Sequence, residues 1–325
     1  MNTLLETNLI ELPQPVAIAP QRIHPETLPG YVALKVADLA NQTQFYQRLL
    51  GLQVNWQDAT QAGLGAGGRD LLRLTQVEGG RRYARVTGLY HFAILFPNRR
   101  QLAIAIARLF AQRWPNSPTD HVMTKTTYLD DPEGNTIELY CESPEDGIFM
   151  ADDAGNFTAR RTDGRPSDGR EPLDTDALFA HLTKSDRLDQ PVPPETRIGH
   201  FHLYVADLAE TRRFYHTLLG FDDMGTASSF RMGMVSAGGY HHHIGFNTWQ
   251  GEGAPPPPPD ALGLAYITFN LPAPAELERL AGVLQQKRLP FEYRPEGLFL
   301  RDPSQNGLLF TTAELSQRPM KARVH

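Results

Sequence analysis

The sequence predicts an α+β protein assembled from four βαβββ modules. One long stretch recurs at a constant offset. Gly30-Tyr-Val-Ala-Leu-Lys-Val-Ala-Asp-Leu39, Phe45-Tyr46 and Leu49-Leu50-Gly51 return as Gly199-His-Phe-His-Leu-Tyr-Val-Ala-Asp-Leu208, Phe214-Tyr215 and Leu218-Leu219-Gly220. A second pair opens at Gly88-Leu89 and Gly263-Leu264, shares Pro97 with Pro272 and Leu102 with Leu277, and closes in Asp131-Pro132 and Asp302-Pro303. Internal repetition on this scale is the signature of duplicated supersecondary units.

Each unit justifies its elements in order. Val32, Leu34 and Val36 alternate with their neighbours, as a half-buried strand requires. An aspartate or proline then starts a stretch in which Leu39, Phe45, Tyr46, Leu49 and Leu50 fall at helical spacing, and Gly51 suits a left-handed helix stop. Tyr46 and Phe214 belong to the packing of that helix. Short strands punctuated by Gly, Asp and Pro complete the unit. The chain divides into an N-terminal arm (1–28), a first two-module domain (29–148), a connection with a helix around Thr175 to Thr183 (149–196), a second two-module domain (197–314) and a tail (315–325). Pro255–Pro259 reads as a stiff polyproline spacer between modules three and four.

An apolar fraction of 41% and a charged fraction of 21% are those of a globular protein. A formal charge of −6 without a basic run gives no electrostatic reason for a nucleic acid or anionic membrane partner, so a small, roughly neutral ligand is the default. The single cysteine, Cys141, excludes an internal disulfide. Leu4, Leu5, Leu9 and Ile10 are interrupted by Glu6, Asn8 and Glu11, so no membrane span is expected there. These features predict a cytoplasmic protein.

Three segments carry a resemblance: Gly88-Leu-Tyr-His-Phe-Ala-Ile-Leu, Asp131-Pro-Glu-Gly-Asn-Thr-Ile-Glu-Leu139 and Gly239-Tyr-His-His-His-Ile-Gly-Phe-Asn-Thr-Trp249. With the βαβββ repeat, they resemble the vicinal oxygen chelate superfamily of glyoxalases, bleomycin-resistance proteins and extradiol dioxygenases, and within it the two-domain catechol 2,3-dioxygenase-like branch. The resemblance spans about residues 30–145 and 197–313.

That resemblance implies that the four βαβββ modules form two cupped, mixed β-sheets, with metal ligands on the first and last strands of each module. The aligned positions are Tyr31 and Leu71 in module one, His91 and Glu138 in module two, His200 and His242 in module three, and Tyr266 and Leu309 in module four. Only the middle modules are metal-competent. Pairing module two with module three gathers His91, Glu138 and His200 in one cup and leaves modules one and four a structural cup; the long 149–196 connection gives the chain the reach to do so. Two imidazoles and a carboxylate leave adjacent coordination positions open, as non-haem Fe(II) oxygenases require; Mn, Ni or Zn would also suit these atoms. His202 lies on the same strand face as His200 and competes with it as the ligand.

The resemblance further implies roles for three more residues. His242, expected in a strand and pointing opposite to His241 and His243, would be the acid/base, or a fourth ligand as in glyoxalase-type isomerases. Tyr128 would hydrogen-bond the substrate oxygen, and His121 would be a second active-site histidine. Asn247 and Trp249 continue the strand expected at His242, where both would line the pocket unless Trp249 belongs to the core. The expected function is Fe(II)-dependent extradiol cleavage of a catechol- or hydroquinone-like aromatic diol with dioxygen. The alternatives are a glyoxalase-like lyase or isomerase and a non-enzymatic binder on the same scaffold. A monomer or a homodimer would serve, since one chain supplies the whole site.

Overall fold

A computed structural model describes residues 22–151 and 157–312; most of the expected N-terminal arm and the 315–325 tail lie outside the described residues. Module one runs β1 (Leu28–Val36), α1 (Leu39–Arg48), β2 (Gln53–Gln57), β3 (Gln61–Ala66) and β4 (Arg69–Gln76). Module two runs β5 (Gly88–Phe96), α2 (Arg99–Ala111), β6 (Ser117–Asp120), β7 (Thr124–Asp130) and β8 (Thr136–Glu142). The connection carries β9 (Gly147–Ala151), β10 (Phe157–Arg161), β11 (Pro166–Ser167), β12 (Glu171–Pro172) and α3 (Thr175–Phe179). Module three follows with β13 (Arg197–Tyr204), α4 (Leu208–Arg212) widening into a π-helical turn (Arg213–Leu218), β14 (Asp222–Ala227), β15 (Met232–Ser236) and β16 (Ile244–Asn247). Module four closes with β17 (Gly263–Leu271), α5 (Pro274–Gln286), β18 (Phe291–Arg294), β19 (Gly297–Arg301) and β20 (Gly307–Thr312). The helix starts expected at aspartate are real caps: Asp38 accepts from the Asn41 N–H and Asp207 from the Glu210 N–H.

The modules pair two with three and one with four. The inner sheet has the order β12-β6-β7-β8-β5-β13-β16-β15-β14, and the outer sheet β18-β19-β20-β17-β1-β4-β3-β2. At the centre of the inner sheet β5 and β13 are antiparallel, each flanked by the parallel last strand of its own module. The segments 29–148 and 197–314 therefore each contribute one half to both sheets.

Strand alternation decides which side chains enter the core. Val32 and Leu34 of β1, Phe92 and Ile94 of β5, Phe201 of β13, Phe269 of β17 and Phe310 of β20 join one continuous core, with Phe201 edge-on to Phe269 at 5.8 Å. Each such side chain contributes about 1.5–3 kcal/mol by leaving water. The intervening residues, His91 and Ala93 on β5 and His200 and His202 on β13, project to the other face, into the inner cup.

In the outer cup, polar contacts occupy two of the four positions that aligned with metal ligands. Tyr31 and Tyr266 bring their hydroxyls within 3.4 Å, Arg73 donates to Tyr31 at 3.0 Å, and Arg73 Nε donates to Asp70 at 2.8 Å. Leu71 and Leu309 are buried beside them. A guanidinium thus supplies the positive charge here.

The connection is more than a spacer. β9, β10 and β11 form a small sheet of their own, β12 adds to the inner sheet against β6, and α3 occupies the first half of the expected helix. Pro255–Pro259 carries no regular element, and Pro255 accepts a hydrogen bond from the Thr87 N–H. Among the described residues, no helix is long and apolar enough to cross a membrane.

Candidate metal centre

One cross-strand row builds the floor of the inner cup. Tyr128 on β7 faces Glu138 on β8, Glu138 faces Ala93 on β5, and Ala93 faces His200 on β13. Side chains in such a row share a face of the sheet. The small Ala93 leaves room above itself, and His91, two residues earlier on β5, leans into that room. Close approach continues on both sides of β13. A Cβ at Gly199 would lie 1.7 Å from the Tyr140 hydroxyl, so a side chain there would displace that tyrosine, and one at Gly245 would press on the His202 ring at 3.0 Å.

His91, Glu138 and His200 converge. Glu138 Oε2 stands 3.0 Å from His200 Nε2 and 3.2 Å from His91 Nε2, and the two imidazole nitrogens are 3.2 Å apart. All three side chains are buried. Both Nδ1 atoms lack a hydrogen-bond partner among the described residues. The rings are instead oriented by packing, His91 against Tyr90 (4.8 Å) and Tyr128 (5.6 Å), His200 against Tyr140 (5.1 Å). Three donor atoms this close together out of water, on rings whose Nδ1 atoms find no partner, form a set that a shared cation would satisfy. The donor set fits a divalent metal, with two nitrogens and one oxygen on one side. Thr126 Oγ1 donates to the other carboxylate oxygen at 2.9 Å, fixing its rotamer.

The electrostatics agree with that fit. Burial works to raise the Glu138 carboxyl, but His200 and His91 outweigh it and hold it well below the usual carboxylate range. Burial lowers His91 against the pull of Glu138, leaving neutral imidazole, the form that ligates. His202, the competitor of His200, is engaged elsewhere: Asn247 Nδ2 donates to its Nε2 at 2.9 Å. His200, rather than His202, is the residue against Glu138.

The remaining expected residues fall as follows. His121 Nε2 lies 2.9 Å from the Tyr128 hydroxyl, and His121 Nδ1 contacts the Gly169 carbonyl. A carbonyl only accepts, so Nδ1 carries a hydrogen and donates to it, which holds the ring with Nε2 against the Tyr128 hydroxyl. Burial, with the Glu138 charge, raises the Tyr128 phenol well above its ordinary value. His242 sits beside the triad with its ring 4.2 Å from that of His200, and burial, then His200, His241 and His202, hold it well below the usual imidazole value.

Two expectations need correction. His241, His242 and His243 are not in a strand: they form the loop before β16, whose backbone does not alternate faces, so His241 and His242 both line the cavity while His243 is buried against Ser236. His200, His241 and His242 also bring ligand atoms within 4.8 Å of one another, a second donor set sharing His200 with the first. Asn247 does not line the cavity either; it is spent on His202 and on the Trp249 N–H.

The cup opens into a cavity of about 700 Å³ lined by all six expected site residues and by Trp249. Sequence reasoning missed Tyr90, four methionines and the 168–170 segment of the connection, which also line it. For the methionines at 232 and 234, alternation on β15 was the available signal.

The match to known proteins follows this architecture. The model of the Glyoxalase/Bleomycin resistance protein/Dioxygenase superfamily matches residues 29–139 and 197–308. The chain belongs to that superfamily. A catechol-2,3-dioxygenase of Bacillus subtilis (strain 168) is 37% identical over 284 residues, covering 86% of this chain and 95% of the relative. With that kinship over nearly both whole chains, the protein is an enzyme of the extradiol dioxygenase type. Among solved structures, a putative dioxygenase from Bacillus subtilis (TM-score 0.59, 13% identity, 93% of this chain and 92% of that one) shares the fold. So does glyoxalase I from Zea mays (TM-score 0.51, 14% identity, 89% and 93%).

Proposed function

We propose that the protein is an Fe(II)-dependent dioxygenase that opens the ring of a catechol- or hydroquinone-like aromatic beside its hydroxyls. The observation that carries this reading is the buried His91, Glu138, His200 convergence at the floor of a cavity that also presents His242 and the His121–Tyr128 pair. Ferrous iron held by those three residues would supply the electron route between the bound diol and dioxygen.

The chain's own groups account for the remaining steps. Neutral His242 accepts a proton from the incoming diol and later returns it. Tyr128, its phenol kept protonated, makes a hydrogen bond to a substrate oxygen while His121 orients that phenol. Tyr90 and Trp249 offer faces against which an aromatic ring packs and water is excluded.

Anaerobic loading with Fe(II), then admission of oxygen in the presence of a panel of catechols and hydroquinones, tests the reading. Yellow ring-opened product is the expected result; its absence across the panel with iron bound would refute it. One observation favours the glyoxalase-like alternative: His241 and His242 stand close enough to His200 to add a fourth protein donor. Thiol-hemiacetal turnover with Ni(II) or Zn(II) separates the two.

A further inference from the structure

The connection between the two halves reaches into the active-site cavity and brings a cation with it. Arg170 stands between two tethered neighbours: the Gly169 carbonyl meets His121, and Glu171 pairs with Asp120 across β12 and β6. Its guanidinium lies over the Phe230 ring at 4.7 Å. Among the described residues no carboxylate lies within ion-pairing distance of that guanidinium, and Asp168 beside it is occupied in a turn, accepting the Arg170 backbone N–H at 2.9 Å.

An aromatic ladder leads from this guanidinium to the metal-binding triad. Trp249 Nε1 donates to the Phe230 carbonyl at 2.7 Å, the Trp249 ring stands 5.0 Å from Tyr90, and Tyr90 stands 4.8 Å from His91. Arg170 and His91 thus occupy opposite ends of the ladder. The same cavity is lined by four soft, apolar side chains, Met123, Met224, Met232 and Met234. A cavity of about 700 Å³ lies within the range, about 300–1,000 Å³, of sites that hold drug-sized ligands, and a single-ring diol fills a small part of it.

We propose that Arg170 is an anion-binding subsite, so that the favoured diol carries an apolar arm ending in a carboxylate or similar anion. The diol end rests on the dioxygenase reading of the inner cup; the subsite itself rests on the cavity. The net negative charge of the chain pointed to a neutral ligand, but recognition is set locally. A guanidinium on an aromatic face presents a planar fork matched to a carboxylate.

The test compares the metal-loaded protein with its Arg170→Gln and Arg170→Lys variants, each first shown to be folded by circular dichroism. Binding of phenylbutyrate and of its neutral counterpart phenylbutanol is measured by calorimetry. The wild type should prefer the anion about five- to tenfold at low salt, the gap should close in Arg170→Gln, persist in part in Arg170→Lys, and narrow as salt is raised. Equal affinities in the wild type, or a gap that survives Arg170→Gln, would overturn the subsite. Turnover separates this from the dioxygenase reading. The ratio of kcat/KM for dihydroxyphenylpropionate over propylcatechol should fall in Arg170→Gln. If no diol is cleaved while the binding gap holds, the dioxygenase reading fails and the subsite stands.

Discussion

The Tyr46 hydroxyl donates to Asp131 Oδ2 at 2.8 Å, and Tyr215 donates to Asp302 at 3.1 Å in the same arrangement one repeat later. Each clasp ties the helix of one module to the Asp-Pro turn of the next, so modules adjacent in sequence are bound together although they lie in different sheets. Removing the hydroxyl strips a buried carboxylate of one donor. Tyr46→Phe should cost about 1–3 kcal/mol of stability in urea unfolding with little change in kcat; an unchanged midpoint would show the clasp to be idle.

Metal content should discriminate the two histidines of β13. His200→Ala is expected to reduce bound metal from one equivalent to nearly none, whereas His202→Ala, which removes the hydrogen bond with Asn247 and ring packing against Tyr90, His91 and Trp249, should keep it. Elemental analysis after dialysis reads the difference, and equal loss in both variants would reopen the choice between them.

His242 should act on protons rather than on metal retention. His242→Asn is expected to lower kcat by about 10²–10⁴-fold at unchanged metal content, the usual worth of a positioned acid/base. Loss of metal in parallel with activity would instead make it a fourth ligand.

Acid should destabilise the metal-free protein through His243. Burial, with Arg197 and His200, pushes this imidazole down to about 3, and its Nδ1 accepts the Ala237 N–H at 3.2 Å. The folded chain therefore binds fewer protons than the unfolded chain, whose histidines titrate near 6.5. Its stabilising contribution is whole above about pH 6.5 and is lost as pH falls toward 3, by up to about 1.4 kcal/mol per pH unit. Unfolding free energies of His243→Asn measured across that window should show a slope shallower by about one proton, and parallel slopes would contradict the assignment.

The sheet pairing and the His91, Glu138, His200 cluster were legible because they sit on strands. The period of two fixes the face, and the repeats fix the register, so Tyr31 and Tyr266 could be set aside from His200 and His91 by type alone. His242 was misplaced in detail because the run 241–243 was read with a strand period, while the backbone there turns. Arg170 was invisible for a different reason. The 149–196 connection has no repeat partner to align it, and nothing in its composition indicates that β12 will dock beside β6 and carry residues 168–170 over the cavity.

The pairing of two with three and one with four imposes an order on biosynthesis. The inner sheet can close once residues to Asn247 have left the ribosome, while β1, placed at the centre of the outer sheet, must wait for β17 to emerge. For most of translation that early strand lacks the neighbour that will cover its edge, a state prone to mispairing and to capture by chaperones. The nested arrangement that builds the metal cup thus exacts its cost in the nascent chain, where the first segment made is the last to be completed.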